Sequence, residues 1–383
     1  MARFYSTARY GAGYEILNVA RTLAETGTFG DPYLALRTGP TAHVAPLYPM
    51  FLALFIKLFG YGAIFVILTS GLVLVMHGLH AMLMPRVSEL FFERAAPGYW
   101  AAILSILLPV FPFLPQFELM YDAVGLMLFC LAAARYARSP STWRALGIGA
   151  LAGVLALLNP ANLTVAALWL AYVIWRERAS IKPAVWMVAA AIVIVAPWTV
   201  RNYVQLHQFV PIRDNLGVEL YIANNDMARP SFFENMPSFL HRHPAASLDE
   251  ARAVREMGEA AYSESRRAIA ESWIRTHPAR FFELASARAK MFWFSDDHDS
   301  VPQARSILFV TVMSVAGLVL LVVRRDAIAI FIAAVWLLYP LIYYVVQHDP
   351  RYRMPILWMT LLPAGYAISA ASAKLRKLWQ FRM

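Results

Sequence analysis

Apolar residues along this chain fall into long unbroken runs rather than into an alternating pattern. A helix of roughly 20 apolar residues crosses a hydrocarbon core, and runs of about that character recur over 62–83, 99–117, 119–137, 146–158, 163–175, 184–200, 307–323, 327–346 and 356–372. Inside lipid only helices and closed barrels satisfy every backbone N–H and C=O. Continuous runs lack the period of two that a barrel strand shows. The pattern therefore predicts an all-α fold, a polytopic transmembrane helical bundle of about nine spans. The fourth and fifth runs are short and share the break at Asn159-Pro160, which predicts a re-entrant or kinked pair.

The segments between the runs divide the chain. Residues 1–60 form a first extracytoplasmic loop, 61–200 a block of transmembrane helices, 201–305 a second extracytoplasmic loop, 306–373 the last transmembrane helices and 374–383 a basic tail. Over 14–26, Ile16, Leu17, Val19, Ala20 and Leu23 share one face, as expected of an amphipathic helix lying in the interface. The stretch 38–49 carries Pro40, Pro46 and Pro49 and is expected to be irregular. In the second loop, amphipathic helices over 248–273 and 278–293 predict a small helical cap.

Composition supports this map and charge orients it. Of 383 residues 60% are hydrophobic and 15% charged, far from a water-soluble domain. The net charge of +10 comes from short clusters between the runs: Arg86 with Arg94; Arg135, Arg138 and Arg144; Arg176, Arg178 and Lys182; Arg324 and Arg325; and Lys374, Arg376, Lys377 and Arg382. No single basic, aromatic-interleaved stripe exists, which argues against nucleic acid as a partner. All the clusters fall on one side of the map, and the positive-inside rule makes that side, with the C-terminus, cytoplasmic. Residues 1–60, the Pro112 and Pro115 corner, the loop 201–305 and the turn 348–353 then lie outside. An odd number of spans leaves the N-terminus outside with no span to deliver it, so a first helix is expected to be missing. Cys130, the one cysteine, offers neither a disulfide nor a thiolate metal site.

The outer segments carry a recognisable series of residues. Gly13 to Ala20, then Gly39-Pro40-Thr41-Ala42 and Pro46-Leu47-Tyr48-Pro49, are followed by Pro197-Trp198 with Arg201-Asn202-Tyr203. Ile212-Arg213, Gly217-Val218-Glu219-Leu220, His277-Pro278, Phe292-Trp293 and Arg351-Tyr352-Arg353-Met354-Pro355 come after them. In this order and on this side, the series resembles the glycosyltransferase C superfamily over almost the whole chain. The likeness is to its bacterial branch, similar to dolichyl-phosphate-mannose protein mannosyltransferases (family 39-like) and lipid A aminoarabinose transferases. The resemblance implies an integral membrane enzyme, in a bacterial inner membrane, that moves a sugar from a polyprenyl phosphate to a protein, lipid or glycan hydroxyl. Its partners would be that donor, the acceptor and membrane lipids.

Such chemistry asks for an outer carboxylate to deprotonate the acceptor and for cations to hold the departing phosphate. Glu15 stands where the resemblance places an acidic residue, although Gly13 and Tyr14 precede it where many relatives carry Asp-Glu; the other reading is an acid at the start of an interfacial helix. Asp122, one turn beyond Glu118 at the outer end of a span, is the second catalytic candidate, since an ionisable group inside a membrane helix ordinarily faces a polar cavity or a partner. Both acids could instead be solvated among lipid headgroups. For the phosphate, Arg201, Arg351 and Arg353 run against the positive-inside trend, with His43 as a further donor; ordinary interfacial arginines and an exposed loop histidine are the competing readings. Asp296, Asp297, His298 and Asp299 form the one dense cluster of metal-ligating types. A solvated turn explains them better, while relatives that bind a divalent cation keep that cofactor open. No glycine loop for phosphates, no Ser-His-Asp set and no zinc signature occurs, so nucleotide-sugar donors are unsupported. A transporter or flippase of a lipid-linked substrate and a catalytically degenerate scaffold are the alternatives. The ionisable residues gather at the outer boundary rather than at the midplane, which favours the enzyme.

Overall fold

The structure, a computed structural model, describes residues 15–110, 117–176, 178, 183–296 and 298–380, the last six as backbone alone. Gly13, Tyr14, Pro112, Pro115, Lys182, Asp297, Arg382 and the side chains of Arg376 and Lys377 lie outside the described residues.

The described chain is helical throughout. The first helices are α1 (Glu15–Thr26), α2 (Leu47–Phe59), α3 (Ala63–Phe92), α4 (Ala96–Leu107), α5 (Leu119–Arg138), α6 (Thr142–Leu158), α7 (Asn162–Arg176) and α8 (Ala184–Leu206). The cap follows as α9 (Leu216–Ala223), α10 (Met236–Arg242), α11 (Leu248–Met257), α12 (Glu259–Thr276) and α13 (Pro278–Trp293). Last come α14 (Val301–Val323), α15 (Ile328–Leu338), α16 (Leu341–Val345), a 3-10 turn (Pro350–Ile356) and α17 (Leu357–Gln380).

Among the described residues, six segments are long and apolar enough to span a membrane: α3, α5, α8, α14, α15 with α16, and the 3-10 turn with α17. The chain is an integral membrane protein. The runs expected over 99–117, 146–158 and 163–175 are the shorter helices α4, α6 and α7, and the break at Asn159-Pro160 separates the last two. The stretch around Pro46 and Pro49 is more ordered than its prolines suggest, because Pro49 occupies the first turn of α2, where no N–H is required. In the cap, the single helix expected over 248–273 is two, divided at Gly258, whose φ of 82° favours a residue without Cβ.

Aromatic rings fill the bundle core. Trp169 lies 4.8 Å from Phe331 and 5.2 Å from Phe91, which in turn meets Trp358, and Trp169 Nε1 donates to the Cys130 carbonyl at 3.0 Å. Among lipid tails such a cluster gains from close packing rather than from leaving water. Small residues serve the same end: a Cβ on Gly149 of α6 would strike the Met187 carbonyl of α8. The outer wall is apolar, with Val185, Val188, Ile192 and Val193 of α8 and Ile64, Ile67 and Leu74 of α3 exposed to lipid.

The helices alternate between two ends. The basic residues collect at one, where Arg94, Arg324 and Lys374 line one cavity and Arg138, Arg176 and Arg325 another. At the other end sit α1, the loop 27–46 and the cap, whose core is Tyr33, Val218, Ile222, Phe239, Val254 and Tyr262. Arg288 ties the cap to the bundle by donating to Val345 O at 3.2 Å, to Asn224 Oδ1 at 3.4 Å and to Ala223 O.

Candidate functional site

The site forms where α1, the loop 27–46, the cap and the ends of α5, α6 and α7 meet. Glu15 opens α1, and its Oε1 stands 3.6 Å from His243 Nε2, at the end of α10. His43 completes the group: one ligating atom each from Glu15, His43 and His243 lie within 4.8 Å of one another. Tyr33 OH pairs with His43 Nδ1 at 3.1 Å, and the His243 ring stacks on Phe239 at 4.5 Å. Burial pushes the Glu15 carboxyl up to about 7; Glu219 adds to the rise, while its own backbone hydrogen bond and Arg351 oppose it. Burial lowers His243 to about 3 and holds His43 well below the usual histidine range, so both rings are neutral near pH 7.

Four carboxyls and two guanidiniums continue the polar interior. Arg351 Nε lies 3.4 Å from Asp349 Oδ2, with its cation 4.2 Å from the centre of the Phe117 ring, and it acts electrostatically on Glu15, Glu118 and Glu219. Arg213 acts on Glu118, Asp122, Glu219 and His43, and its Nε donates to Asn215 Oδ1 at 2.8 Å. Glu118 and Glu219 each keep one buried oxygen, Oε2, without a hydrogen-bond partner. Asp122 is fully buried and accepts from Asn159 Nδ2 at 3.1 Å and from Asn162 Nδ2 at 2.7 Å. The helix break supplies both amides: Asn159 ends α6 and Asn162 opens α7.

The other candidates stand elsewhere. Arg201 directs Nη1 to Thr41 O at 2.6 Å and Nη2 to Phe29 O at 2.5 Å, with its cation over Trp198. Glu259 grips the same loop, accepting from Ala42 N at 2.6 Å and from Thr41 Oγ1. These two side chains fix the loop that presents His43. Arg353, 2% exposed, donates to Trp293 O and Thr311 Oγ1, both at 3.1 Å, and joins the end of α13 to α14. Thus Glu15, His43, Asp122 and Arg351 come together, and Arg201 and Arg353 serve as clamps on carbonyls. His298 Nδ1 lies 3.2 Å from Asp296 Oδ1, and Asp296 N donates to Asp299 Oδ2 at 3.0 Å, closing a turn.

Sequence reasoning did not single out His243, Arg213, Glu219, Asn159 and Asn162 as site residues. Arg213 and Glu219 lay inside segments already noted, and the break at Asn159-Pro160 was visible. His243 had no such mark.

Glu15, His43 and His243 are the residues that could hold a metal ion among the described residues. A neutral imidazole binds a metal through a bare nitrogen and carries its proton on the other. Here His243 Nδ1 accepts the Ala245 N–H at 3.0 Å, so Nε2 bears the proton and turns it toward Glu15. As arranged, the trio does not fit an ion; it fits a carboxylate facing an N–H.

No protein-family model matches the sequence, and no curated protein matches it. Two solved structures do match in fold. One is the archaeal oligosaccharyltransferase AglB from Archaeoglobus fulgidus, in complex with an inhibitory peptide and a dolichol-phosphate, with TM-score 0.55 and 12% identity over 97% of this chain and 48% of that one. The other is an Archaeoglobus fulgidus oligosaccharyltransferase in complex with Zn and sulfate, with TM-score 0.51 and 13% identity over 95% of this chain and 45% of that one. The chain therefore shares the fold of these two oligosaccharyltransferases and spans about half their length.

Proposed function

We propose that this protein is an integral membrane glycosyltransferase that moves a sugar from a polyprenyl phosphate to an acceptor hydroxyl. The observation that carries the reading is the meeting of Glu15 with Arg351 in one polar interior, which Arg213 shares through Glu118 and Glu219, at the bundle end opposite the basic loops. That end is read as extracytoplasmic, with the C-terminus in the cytoplasm of a bacterium, because short basic loops face inward.

Glu15 is the general base. A carboxyl near pH 7 both ionises and accepts a proton under working conditions. As it takes the acceptor's hydroxyl proton, the acceptor oxygen bonds to the anomeric carbon and the bond from that carbon to the phosphate oxygen breaks. The electron pair leaves with the phosphate, whose charge Arg351 and Arg213 meet. His43 stands beside Glu15 as a donor toward the reacting groups. Asp122, locked by Asn159 and Asn162, lies within electrostatic reach of Arg213 and fixes the floor of the site. The mannosyltransferase-like character belongs to the same proposal.

The test is transfer of labelled sugar from polyprenyl-phosphate donors by the purified full chain and by Glu15→Gln. Transfer that disappears in the variant supports the reading. Equal transfer by both proteins would remove Glu15 from the chemistry, and no transfer from any such donor would remove the enzyme.

A further inference from the structure

The two cavities at the basic end differ in their charge balance. The larger, about 510 Å³, sets Arg138, Arg176 and Arg325 against Glu89, Glu93 and Asp326 and so neutralises itself. Its neighbour, about 400 Å³, is lined by Arg94, Arg324 and Lys374 and, among the described residues, by no carboxylate. These three cations come from separate stretches: the residues before α4, the end of α14 and the last part of α17.

Packing fixes their spacing. A Cβ on Gly365 of α17 would strike the Pro97 carbonyl at the start of α4, and one on Gly317 of α14 would strike the Pro363 carbonyl of α17. The three helices therefore touch backbone to backbone. Ala370 and Ala373 are too small to fill the space between the cations, which leaves the cavity open. Arg324 Nη1 donates to Tyr366 OH at 2.7 Å with its cation 5.5 Å from the centre of that ring, an orientation held without an acid. All three cations are exposed, so the cavity opens at the surface of the bundle.

We propose that this carboxylate-free cavity binds the phosphodiester headgroup of an anionic phospholipid from the surrounding membrane. Guanidinium and ammonium groups match phosphate oxygens, and a membrane-spanning chain meets that chemistry in its own lipid at high local concentration. The acyl chains then lie along the apolar outer wall of α14, where Val312, Val315 and Val319 are exposed. The site lies at the opposite end from Glu15 and stands independently of the proposed reaction.

Native mass spectrometry of the detergent-solubilised full chain, titrated with phosphatidylglycerol, phosphatidylcholine or inorganic phosphate, tests it. The wild type is expected to retain phosphatidylglycerol over phosphatidylcholine, and each cation removed is expected to weaken that retention about fivefold. The triple variant Arg94→Gln, Arg324→Gln, Lys374→Gln then loses about a hundredfold. A matched triple variant of the balanced cavity, Arg138→Gln, Arg176→Gln, Arg325→Gln, keeps the wild-type preference. Lys374→Gln alone, at an exposed position, gives the single-step fall if the triple variant does not fold. Unchanged retention in the first set, an equal fall in both sets, or complete displacement of the lipid by millimolar phosphate would each overturn the assignment.

Discussion

His243 and Glu15 face each other across 3.6 Å, from Nε2 to Oε1, with the proton of the ring on the facing nitrogen because Ala245 N–H occupies Nδ1. That separation exceeds a hydrogen bond and is short enough to close into one when the carboxylate ionises. The pair is thus set up to manage a proton rather than a cation. Prolonged treatment of the purified protein with EDTA is expected to leave the proposed transfer unchanged in rate. A rate lost on chelation and restored by zinc would show that His243 gives up its Ala245 contact to bind the ion.

With Glu15 as the proposed base, the acid limb of the transfer rate is expected near pH 7. Glu219 raises that carboxyl and Arg351 lowers it. Glu219→Gln should therefore move the limb to lower pH, and Arg351→Gln to higher pH. Glu15→Gln should lower the rate by about 10²- to 10⁴-fold at every pH. Rate profiles of the three variants from pH 5 to 9 check the set; shifts of the opposite sign would sink the assignment.

Arg201 and Arg351 are both outer arginines, yet they should fail differently. Arg201 is engaged by two carbonyls of the loop 27–46, so Arg201→Ala removes charged hydrogen bonds valued at about 1.5–3 kcal/mol each. A lowered melting temperature with an unchanged KM for the donor is expected. Arg351→Ala should raise that KM and lower kcat with little change in melting. Thermal unfolding and donor titration on the same preparations separate the two outcomes.

Asp122 accepts two amide N–H groups at once. In Asp122→Asn one of those donors meets an NH₂ group instead of an oxygen, leaving a buried donor unsatisfied at a cost of about 1–3 kcal/mol. The variant should melt earlier than wild type. Reversing the neighbour as well, in Asp122→Asn with Asn162→Asp, should restore part of the loss.

Glu259 links its site to stability through pH. Burial raises its carboxyl to about 7 from the usual 4.5, so the folded chain binds that proton more tightly than the unfolded one. Its contribution is complete below about pH 4.5 and is lost as pH rises through 7. The drop in melting temperature from pH 5 to pH 8 should be smaller in Glu259→Gln than in wild type. Scanning calorimetry at both pH values would show an equal or steeper drop if the group were ionised throughout.

The spans and α1 were legible because hydrophobic length and helical periodicity are local properties of the chain. Asp122 and Arg351 stood out as polar residues at the outer ends of such spans, Glu15 as an acid at the start of an interfacial helix, and His43 as a loop histidine. Partnership was not. Arg201 and Arg351 share the same sequence signal, a cation on the less basic side, and only the fold reveals that Phe29 and Thr41 carbonyls occupy one of them. His243 closes a seven-residue helix inside a polar cap, where no periodic pattern marks it. The cap helix 248–273 hid its division because the apolar stripe continues past Gly258, whose left-handed backbone breaks the helix there.

The meeting of α6 and α7 at the Asn159-Pro160 break also shapes the lipid around the protein. At a rise of about 1.5 Å per residue, the 17 residues of α6 and 15 of α7 reach only about 26 and 23 Å, short of a hydrocarbon core of roughly 30 Å, whereas the 30 residues of α3 exceed it. Beside the short pair the bilayer is expected to thin, while α3 takes up its excess length by tilting or by thickening the lipid around it. Headgroups beside α6 and α7 are then expected to ride lower, closer to the depth of Asp122, which Asn159 and Asn162 hold at the break.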